Sequence, residues 1–189
     1  ISGKSEWTEN ILKQVQRLSK LINDLIVLSK MSEGKQTMVW EDVNVSDMAD
    51  SIAKSFQTMV DDQKKHLICR IEPQVSVRSD AKRLYTLINI FVDNAVKYCD
   101  EDGTITVAVT PAKKHKGAVI AVANTYVDGA HMDFSHFFER FYRGDESHNS
   151  QKSGYGIGLS MAEELAQLLK GTIHVDYKEH TIIFTIQIH

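Results

Sequence analysis

The sequence predicts an α+β fold, a two-layer α/β sandwich in which helices cover one face of a mixed sheet, behind one N-terminal helix. Long segments with apolar residues at helical spacing are interleaved with short runs in which apolar and polar residues alternate. The last two alternating runs, 172–177 and 181–188, form a predicted closing hairpin. With 189 residues, of which 42% are hydrophobic and 25% charged, the chain is long enough for one main domain with an appendage.

The N-terminal segment has the pattern of a helix with one apolar stripe. Between residues 9 and 31 the apolar side chains recur at helical spacing over about three heptads. They include Ile11, Val15, Leu18, Ile22 and Leu25. The following "MSEGKQ" indicates a break, so we expect one unit at 1–34 and a second at 35–189. The stripe either packs on its own domain or meets a partner helix from upstream sequence or a second subunit.

The second unit begins with an extended stretch and a helix. Residues 37–45 look extended, and Ser46 is a suitable cap for a helix that continues to about Lys64. Its predicted inner face comprises Met48, Ile52, Phe56, Met59 and Val60. Short alternating runs at 67–71 and 75–77, separated by Pro73, predict two strands.

A long helix and a pair of strands come next. The helix is predicted from Ser79 or Asp80 to Tyr98, and the strands at 104–110 and 118–123. The segment from 126 to 151 looks irregular, apart from a helical turn near 134–140. A last helix is predicted at about 157–169, ended by Gly171.

Composition and charge exclude several functions. The net charge of -3 and the scattered basic residues argue against a nucleic-acid partner. Cys69 and Cys99 lack disulfide-framework or metal-ligand spacing, so both are interpreted as small apolar core residues in a reducing compartment. No apolar run approaches the roughly 18 residues of a membrane span.

The glycine-rich stretch "SGYGIGLS" at 153–160 is a candidate phosphate site. Its spacing excludes a dinucleotide fingerprint, because the sixth position counted from Gly154 is Leu159. "SGKS" at 2–5 lacks the upstream strand and glycine of a P-loop. What remains is Gly154, Gly156 and Gly158 opening a helix, where backbone N–H groups favour an anion such as a triphosphate. The alternative is a flexible loop that ends in a helix cap.

A second polar constellation lies in "NIFVDNAVKY" at 89–98. Asn94, Lys97 and Tyr98 share one helix face, which brings together an amide oxygen for Mg²⁺, an ammonium for phosphate and a ring for a base. The alternative is a solvated helix face.

Together, these stretches resemble the catalytic and ATP-binding domain of sensor histidine kinases, which has the GHKL or Bergerat fold. "NIFVDNAVKY" resembles the N box, "FFERFYR" at 137–143 the F box and "GYGIGLS" the second glycine box, with a polar segment where that family has its ATP lid. "QVQRLSKLINDLIVLSKMSEGK" resembles the second helix of the family's dimerisation and phosphoacceptor hairpin.

The resemblance implies binding of ATP and Mg²⁺ and transfer of the γ-phosphoryl group to a histidine. It also implies a second subunit bound through the N-terminal helix, a response regulator as partner, and the place of a cytoplasmic domain in a membrane-bound sensor. The site residues that it implies are Asn94 for Mg²⁺; Lys97, Arg140, Arg143 and Lys152 for the phosphates; Tyr98 and Asn124 for adenine; and Gly154, Gly156, Gly158 and Leu159 at the lid and helix start.

Three departures from the family pattern qualify these expectations. Asn124 replaces the aspartate that accepts a hydrogen bond from adenine, and Tyr126 and Asp128 replace glycines of the same loop. Ile90 stands four residues before Asn94, where related proteins carry Asn, His or Glu. No histidine is followed by an acidic residue and a proline at phosphoacceptor spacing, so we expect the acceptor histidine upstream and no self-labelling.

Two other functions stay open at this point. A degenerate, non-catalytic nucleotide-binding or interaction module would explain the substitutions in the loop after Asn124. An ATP hydrolase of the same fold would need a glutamate general base where Ile90 stands, and the isoleucine argues against it.

Overall fold

The computed structural model describes residues 37–112, 117–142 and 156–189. It also describes residues 7–9, 11–12, 14–15, 18–19, 21–22 and 25–26 of the N-terminal part. The chain divides into two compact units, Ile1–Thr37 and Met38–His189. The predicted boundary between residues 34 and 35 stays a prediction, since both lie outside the described residues.

In the first unit, the described residues between 7 and 26 are α-helical. Apart from the half-buried Leu21, their large apolar side chains are exposed, among them Trp7, Ile11, Val15, Leu18 and Ile22. The described part of the chain holds no helix that is both long and apolar enough to cross a membrane.

The second unit is built from seven described strands and three described α-helices. The strands are β1 (Glu41–Asn44), β2 (His66–Ile71), β3 (Ser76–Ser79), β4 (Thr104–Pro111), β5 (Ala118–Thr125), β6 (Thr172–Lys178) and β7 (Thr181–Ile188). The helices are α1 (Val45–Asp62), α2 (Ala81–Tyr98) and α3 (Gly158–Leu168), and two 3₁₀ turns span Val127–His131 and Phe134–His136.

Five strands form one mixed sheet in the order β2-β4-β5-β7-β6, while β1 and β3 form a separate antiparallel pair. β2 is parallel to β4, and the other neighbours in the large sheet are antiparallel. Alternate residues of β4, β5 and β7 are buried. α1 packs against β2, α2 against β5 and α3 against β6, so the helices cover one face of the sheet. The predicted α+β two-layer arrangement is confirmed.

The core joins the central helix to the centre of the sheet. Phe91 of α2 and Phe184 of β7 are fully buried, with ring centroids 5.0 Å apart. This contact holds one face of α2 against the sheet, while α1 and α3 pack against other parts of the same helix.

The helix starts differ from the prediction in one case. The side chain of Asn44, rather than Ser46, caps α1 by accepting a hydrogen bond from Asp47 N at 3.1 Å. Ser46 lies inside the first turn, where its Oγ donates to Glu72 O and accepts from Val75 N. Asp80 caps α2, as the sequence predicts.

Two predicted core positions are wrong. Met59 is exposed because it lies on the solvent side of α1, next to the buried Val60. Cys69 is exposed because β2 is an edge strand of the sheet, whereas Cys99 is buried as predicted.

Candidate functional site

One stripe along α2 carries two of the predicted ligands, Asn94 and Tyr98. Ile90, Asn94 and Tyr98 are half-buried and lie at i, i+4 and i+8, within about 80° of one another around the helix. They span about 12 Å along the helix axis. The stripe flanks the buried side of α2, which includes Phe91 and Ala95. Asn94 therefore lies between an apolar position and an aromatic one.

The predicted phosphate-binding lysine is tied to a neighbouring carboxylate. Lys97 Nζ lies 2.5 Å from Asp93 Oδ2, one turn earlier on α2, and both side chains are partly exposed. The pair holds the ammonium group near the level of Asn94.

The start of α3 lies against α2. A Cβ atom built on Gly158 would lie 3.7 Å from Ile90 Cγ2, one helical turn before Asn94. Among the described residues no side chain caps this helix, whereas Asn44 caps α1 and Asp80 caps α2. Its first N–H groups and its dipole suit an anion, and Ile90, which Gly158 approaches, lies one helical turn before Asn94. Leu159 follows as a half-buried residue of the first turn.

A backbone hydrogen bond joins the two chain segments that precede and follow residues 142–155. Phe141 N donates a hydrogen bond to Gly156 O at 2.9 Å. Both residues have left-handed backbones, with φ of 65° for Phe141 and 68° for Gly156. A Cβ atom at position 156 would lie 2.6 Å from Tyr142 O, so this crossing requires glycine.

Arg140 pairs with a carboxylate of α3. Its guanidinium forms a salt bridge with Glu164, which lies about 9 Å along α3 from Gly158. The remaining predicted residues of this region, Arg143, Lys152 and Gly154, lie outside the described residues.

The predicted adenine contact lies at the end of β5. Asn124 is 2% exposed, and its Nδ2 donates a hydrogen bond to Thr125 O at 3.1 Å. That bond leaves the Oδ1 side of the amide to accept a hydrogen bond from another group. An asparagine oriented in this way offers the same acceptor function as a carboxylate.

The loop after β5 is fastened to the C-terminal hairpin. Tyr126, which replaces a glycine of the family pattern, is buried, and its N–H donates to His180 O at 2.7 Å. Tyr177 Oη donates to Tyr126 O and lies equally close to Val127 O, both at 3.1 Å. A Cβ atom on Gly129 would lie 2.4 Å from the Tyr177 ring, which explains the glycine at that position.

The aromatic residues of "FFERFYR" anchor the segment that precedes residue 143. Phe137 packs on Phe134, whose ring stacks on Tyr177, and Phe138 makes an edge contact with Phe184 of the core. On the exposed side, a hydrogen bond with Glu139 raises the pKa of His136. No group of three or more His, Cys, Asp or Glu side chains suited to a metal occurs among the described residues.

Two contributing residues were not predicted from the sequence. Thr125 hydrogen-bonds around the end of α2, and Glu164 binds Arg140. In the structure Glu164 is half-buried and its neighbour Glu163 is exposed. In the sequence both are glutamates of the same helix, so only their positions relative to the buried face could have distinguished them. Thr125 carries no sequence signal of its role.

Comparison with known proteins identifies related sequences. Residues 79–189 match the model of the family described as "Histidine kinase-, DNA gyrase B-, and HSP90-like ATPase". The chain is 30% identical over 165 residues to the signal transduction histidine-protein kinase ArlS of Staphylococcus epidermidis, covering 87% of this chain and 36% of ArlS. It is 28% identical over 191 positions to the sensor protein CiaH of Streptococcus pneumoniae, covering 100% of this chain and 42% of CiaH. The chain thus spans less than half the length of these curated relatives.

Solved structures share the fold. The Acinetobacter baumannii histidine kinase AdeS superposes with a TM-score of 0.79 at 21% identity, over 99% of this chain and 86% of AdeS. Histidine kinase ThkA in complex with response regulator protein TrrA gives a TM-score of 0.75 at 15% identity, over 100% of this chain and 52% of that chain.

Proposed function

Because the chain belongs to the family of histidine kinase-, DNA gyrase B- and HSP90-like ATPases, we propose that its second unit binds Mg-ATP and transfers the γ-phosphoryl group to a histidine outside these 189 residues. The resemblance to the ATP-binding domain of sensor histidine kinases is confirmed by the family match and by the two sensor-kinase relatives. The transfer reaction and its partners are our proposal for the whole protein.

One observation carries the proposal. The start of α3 lies beside the α2 stripe near Ile90, in the middle of the helix, and the end of β5 is hydrogen-bonded to Asp100, two residues after α2 ends. Asn94 lies between these two contacts. This order supports phosphates near Gly158 and a nucleobase near Asn124.

The residues present fit the nucleotide. The first N–H groups of α3 have no helical partner, and Ile157 at the N-cap position gives them no side-chain cap, which suits phosphate oxygens. Asn94 offers a neutral oxygen ligand, and Lys97 a cation beside it. Mg²⁺, when bound there, would neutralise charge on the phosphates, and the protein's own task is positioning. Tyr98 and the Oδ1 atom of Asn124 would hold the base.

Calorimetric titration with ATP and Mg²⁺ tests the binding step. We expect Asn94→Ala to weaken Mg-ATP binding by at least about tenfold, because a metal ligand and its geometry are lost. Asn89→Ala, on the same helix but well away around it, is the matched control and should bind as the parent chain does. If the parent chain showed no binding heat, or if both variants bound equally, the proposed site would be wrong.

Incubation with γ-labelled ATP tests the acceptor. The chain should carry no acid-labile phosphate by itself, whereas the same chain extended through its upstream histidine should become labelled. Acid-labile phosphate on these 189 residues would contradict the upstream acceptor.

We also infer a homodimer of the full-length protein through the N-terminal helix and docking of a response regulator, in a cytoplasmic domain of a membrane-bound sensor. The exposed apolar side chains of that helix and the relatives named as sensors support these inferences. Light scattering of the full-length protein, with and without apolar-to-serine changes at Leu18 and Ile22, tests the dimer.

The non-catalytic module remains the second candidate function. The buried Tyr126 and the fastened loop after β5 favour it, since the loop there differs from the family pattern. Binding of Mg-ATP without transfer in the full-length protein would select it, and steady-state ATP turnover well above background would instead favour a hydrolase.

A further inference from the structure

We propose that Thr125 is a positioning residue for the nucleobase end of the site, which it builds by joining the end of α2 to the end of β5. The inference rests on the nucleotide binding proposed above. It concerns four hydrogen bonds of one residue, two at the hydroxyl group and two at the carbonyl group.

The hydroxyl group connects the end of α2 to the start of β4. Thr104 N lies 3.0 Å from Thr125 Oγ1, and Cys99 Sγ lies 3.4 Å from the same atom. An amide N–H only donates, so Oγ1 accepts from Thr104 and can give its own proton to the sulfur. Burial raises the pKa of Cys99, which keeps the thiol neutral.

The carbonyl group connects the same helix end to the predicted adenine contact. Thr125 O accepts a hydrogen bond from Asp100 N at 3.0 Å and another from Asn124 Nδ2 at 3.1 Å. Asp100 makes a second link, because its Oδ2 accepts from Val127 N at 2.9 Å. The residues that follow Tyr98 are therefore bound directly to the strand end that carries Asn124.

The turn at Gly103 passes close to the Thr125 hydroxyl group. A Cβ atom on Gly103 would lie 2.3 Å from Thr125 Oγ1 and 2.6 Å from Cys99 Sγ. Glycine at 103 thus lets the turn between α2 and β4 pass close to the hydroxyl group. The hydroxyl group holds the Thr125 backbone in place, and that backbone holds the Asn124 amide.

This arrangement determines which face of the amide a ligand meets. With Nδ2 engaged by Thr125 O, Asn124 presents Oδ1, an acceptor that pairs with an exocyclic amino group rather than with a ring carbonyl. Losing the hydroxyl group leaves Thr104 N–H without its acceptor and loosens the strand end. Loss of the hydroxyl group should therefore weaken nucleotide binding as well as lower the stability of the fold.

The test replaces the hydroxyl group without changing the side-chain volume. Thr125→Val should raise the Kd for Mg-ATP by about tenfold, the effect of one lost hydrogen bond with a buried partner. Thr125→Ser keeps the hydroxyl group and should restore the Kd to within about twofold. Thr106→Val makes the same change on the neighbouring strand β4 and should leave the Kd unaltered. All titrations are made well below the unfolding midpoint, where a purely stabilising role would not change the Kd.

The outcomes separate the two proposals. If the parent chain does not bind Mg-ATP, the proposed function fails and this inference fails with it. If the parent chain binds and Thr125→Val binds equally well, only the positioning role is overturned. An equal loss in Thr125→Ser also overturns it, because the methyl packing would then be responsible. If Thr125→Val does not fold, Cys99→Ala removes one partner of the same hydroxyl group, and an unchanged Kd there overturns the proposal.

Discussion

Replacing Gly156 by alanine should destabilise the chain through both backbone strain and a steric clash. The φ of 68° costs an L-residue about 1–2 kcal/mol. The new Cβ atom would also lie 2.6 Å from Tyr142 O, closer than real Cβ contacts, so the backbone at 141–142 must move. Overpacking of this kind costs about 1–3 kcal/mol. The sum is about 3 kcal/mol of lost unfolding free energy.

Thermal unfolding and titration with Mg-ATP distinguish two responses of the variant, in which the strain is either retained or relieved. If the strain is retained, the midpoint should fall by about 6–12 °C in a chain of this size. If the Phe141–Gly156 hydrogen bond breaks instead, the midpoint changes less and Mg-ATP binding weakens. Gly158→Ala is the matched control for the unfolding midpoint alone, because among the described residues its Cβ atom would meet only Ile90, at an ordinary 3.7 Å. A Gly156→Ala chain with unchanged midpoint and unchanged Kd would refute the reasoning.

Three further predictions concern contacts outside the glycine crossing. Glu164→Gln should weaken the salt bridge with Arg140 and lower the free energy of unfolding by less than about 1 kcal/mol, measured by thermal unfolding. Glu163→Gln should have no effect, and equal losses in the two variants would contradict a specific pair between Glu164 and Arg140. Asn44→Ala should cost about 1 kcal/mol in urea unfolding, and no loss would mean that the cap at α1 is dispensable. Burial raises the pKa of Asp80, but hydrogen bonds from two backbone N–H groups and the neighbouring guanidinium outweigh it and lower the pKa overall. Asp80→Asn should therefore lower the free energy of unfolding by about 2 kcal/mol at neutral pH. The difference in unfolding free energy between the variant and the parent chain should shrink as the pH falls below about 4. A difference that does not depend on pH would show that the carboxylate charge is not responsible.

The order of elements could be predicted because each has a local pattern. The period of α2 and the alternation in β4, β5 and β7 are present in the sequence, and the structure places all four within a few residues of prediction. The cap at α1 was misassigned because Asn44 and Ser46 are both good cap residues. The choice between them depends on a contact from Ser46 to the turn at Glu72, 26 residues later.

The site could be predicted only in part, for the same reason. Asn94, Lys97 and Tyr98 lie on one helix, so their shared face follows from spacing. The ion pair between Arg140 and Glu164 joins residues on either side of the segment 142–155, and no local pattern indicates it. The role of Thr125 depends on where the turn at 100–104 passes, which is a property of the folded sheet.

The Ile90 contact bears on the choice between phosphoryl transfer and hydrolysis. A hydrolase needs a proton acceptor beside the phosphate to orient and activate water. Ile90 is the residue of α2 that a Cβ atom on Gly158 would meet, and its side chain accepts no proton. The nearest carboxylate on this part of the helix, Asp93, is paired with Lys97. A water molecule near the phosphates would thus have no general base from the α2 stripe to activate it. A nucleophilic side chain supplied by another helix would not depend on a base at position 90. The apolar side chain at this position therefore favours transfer over hydrolysis.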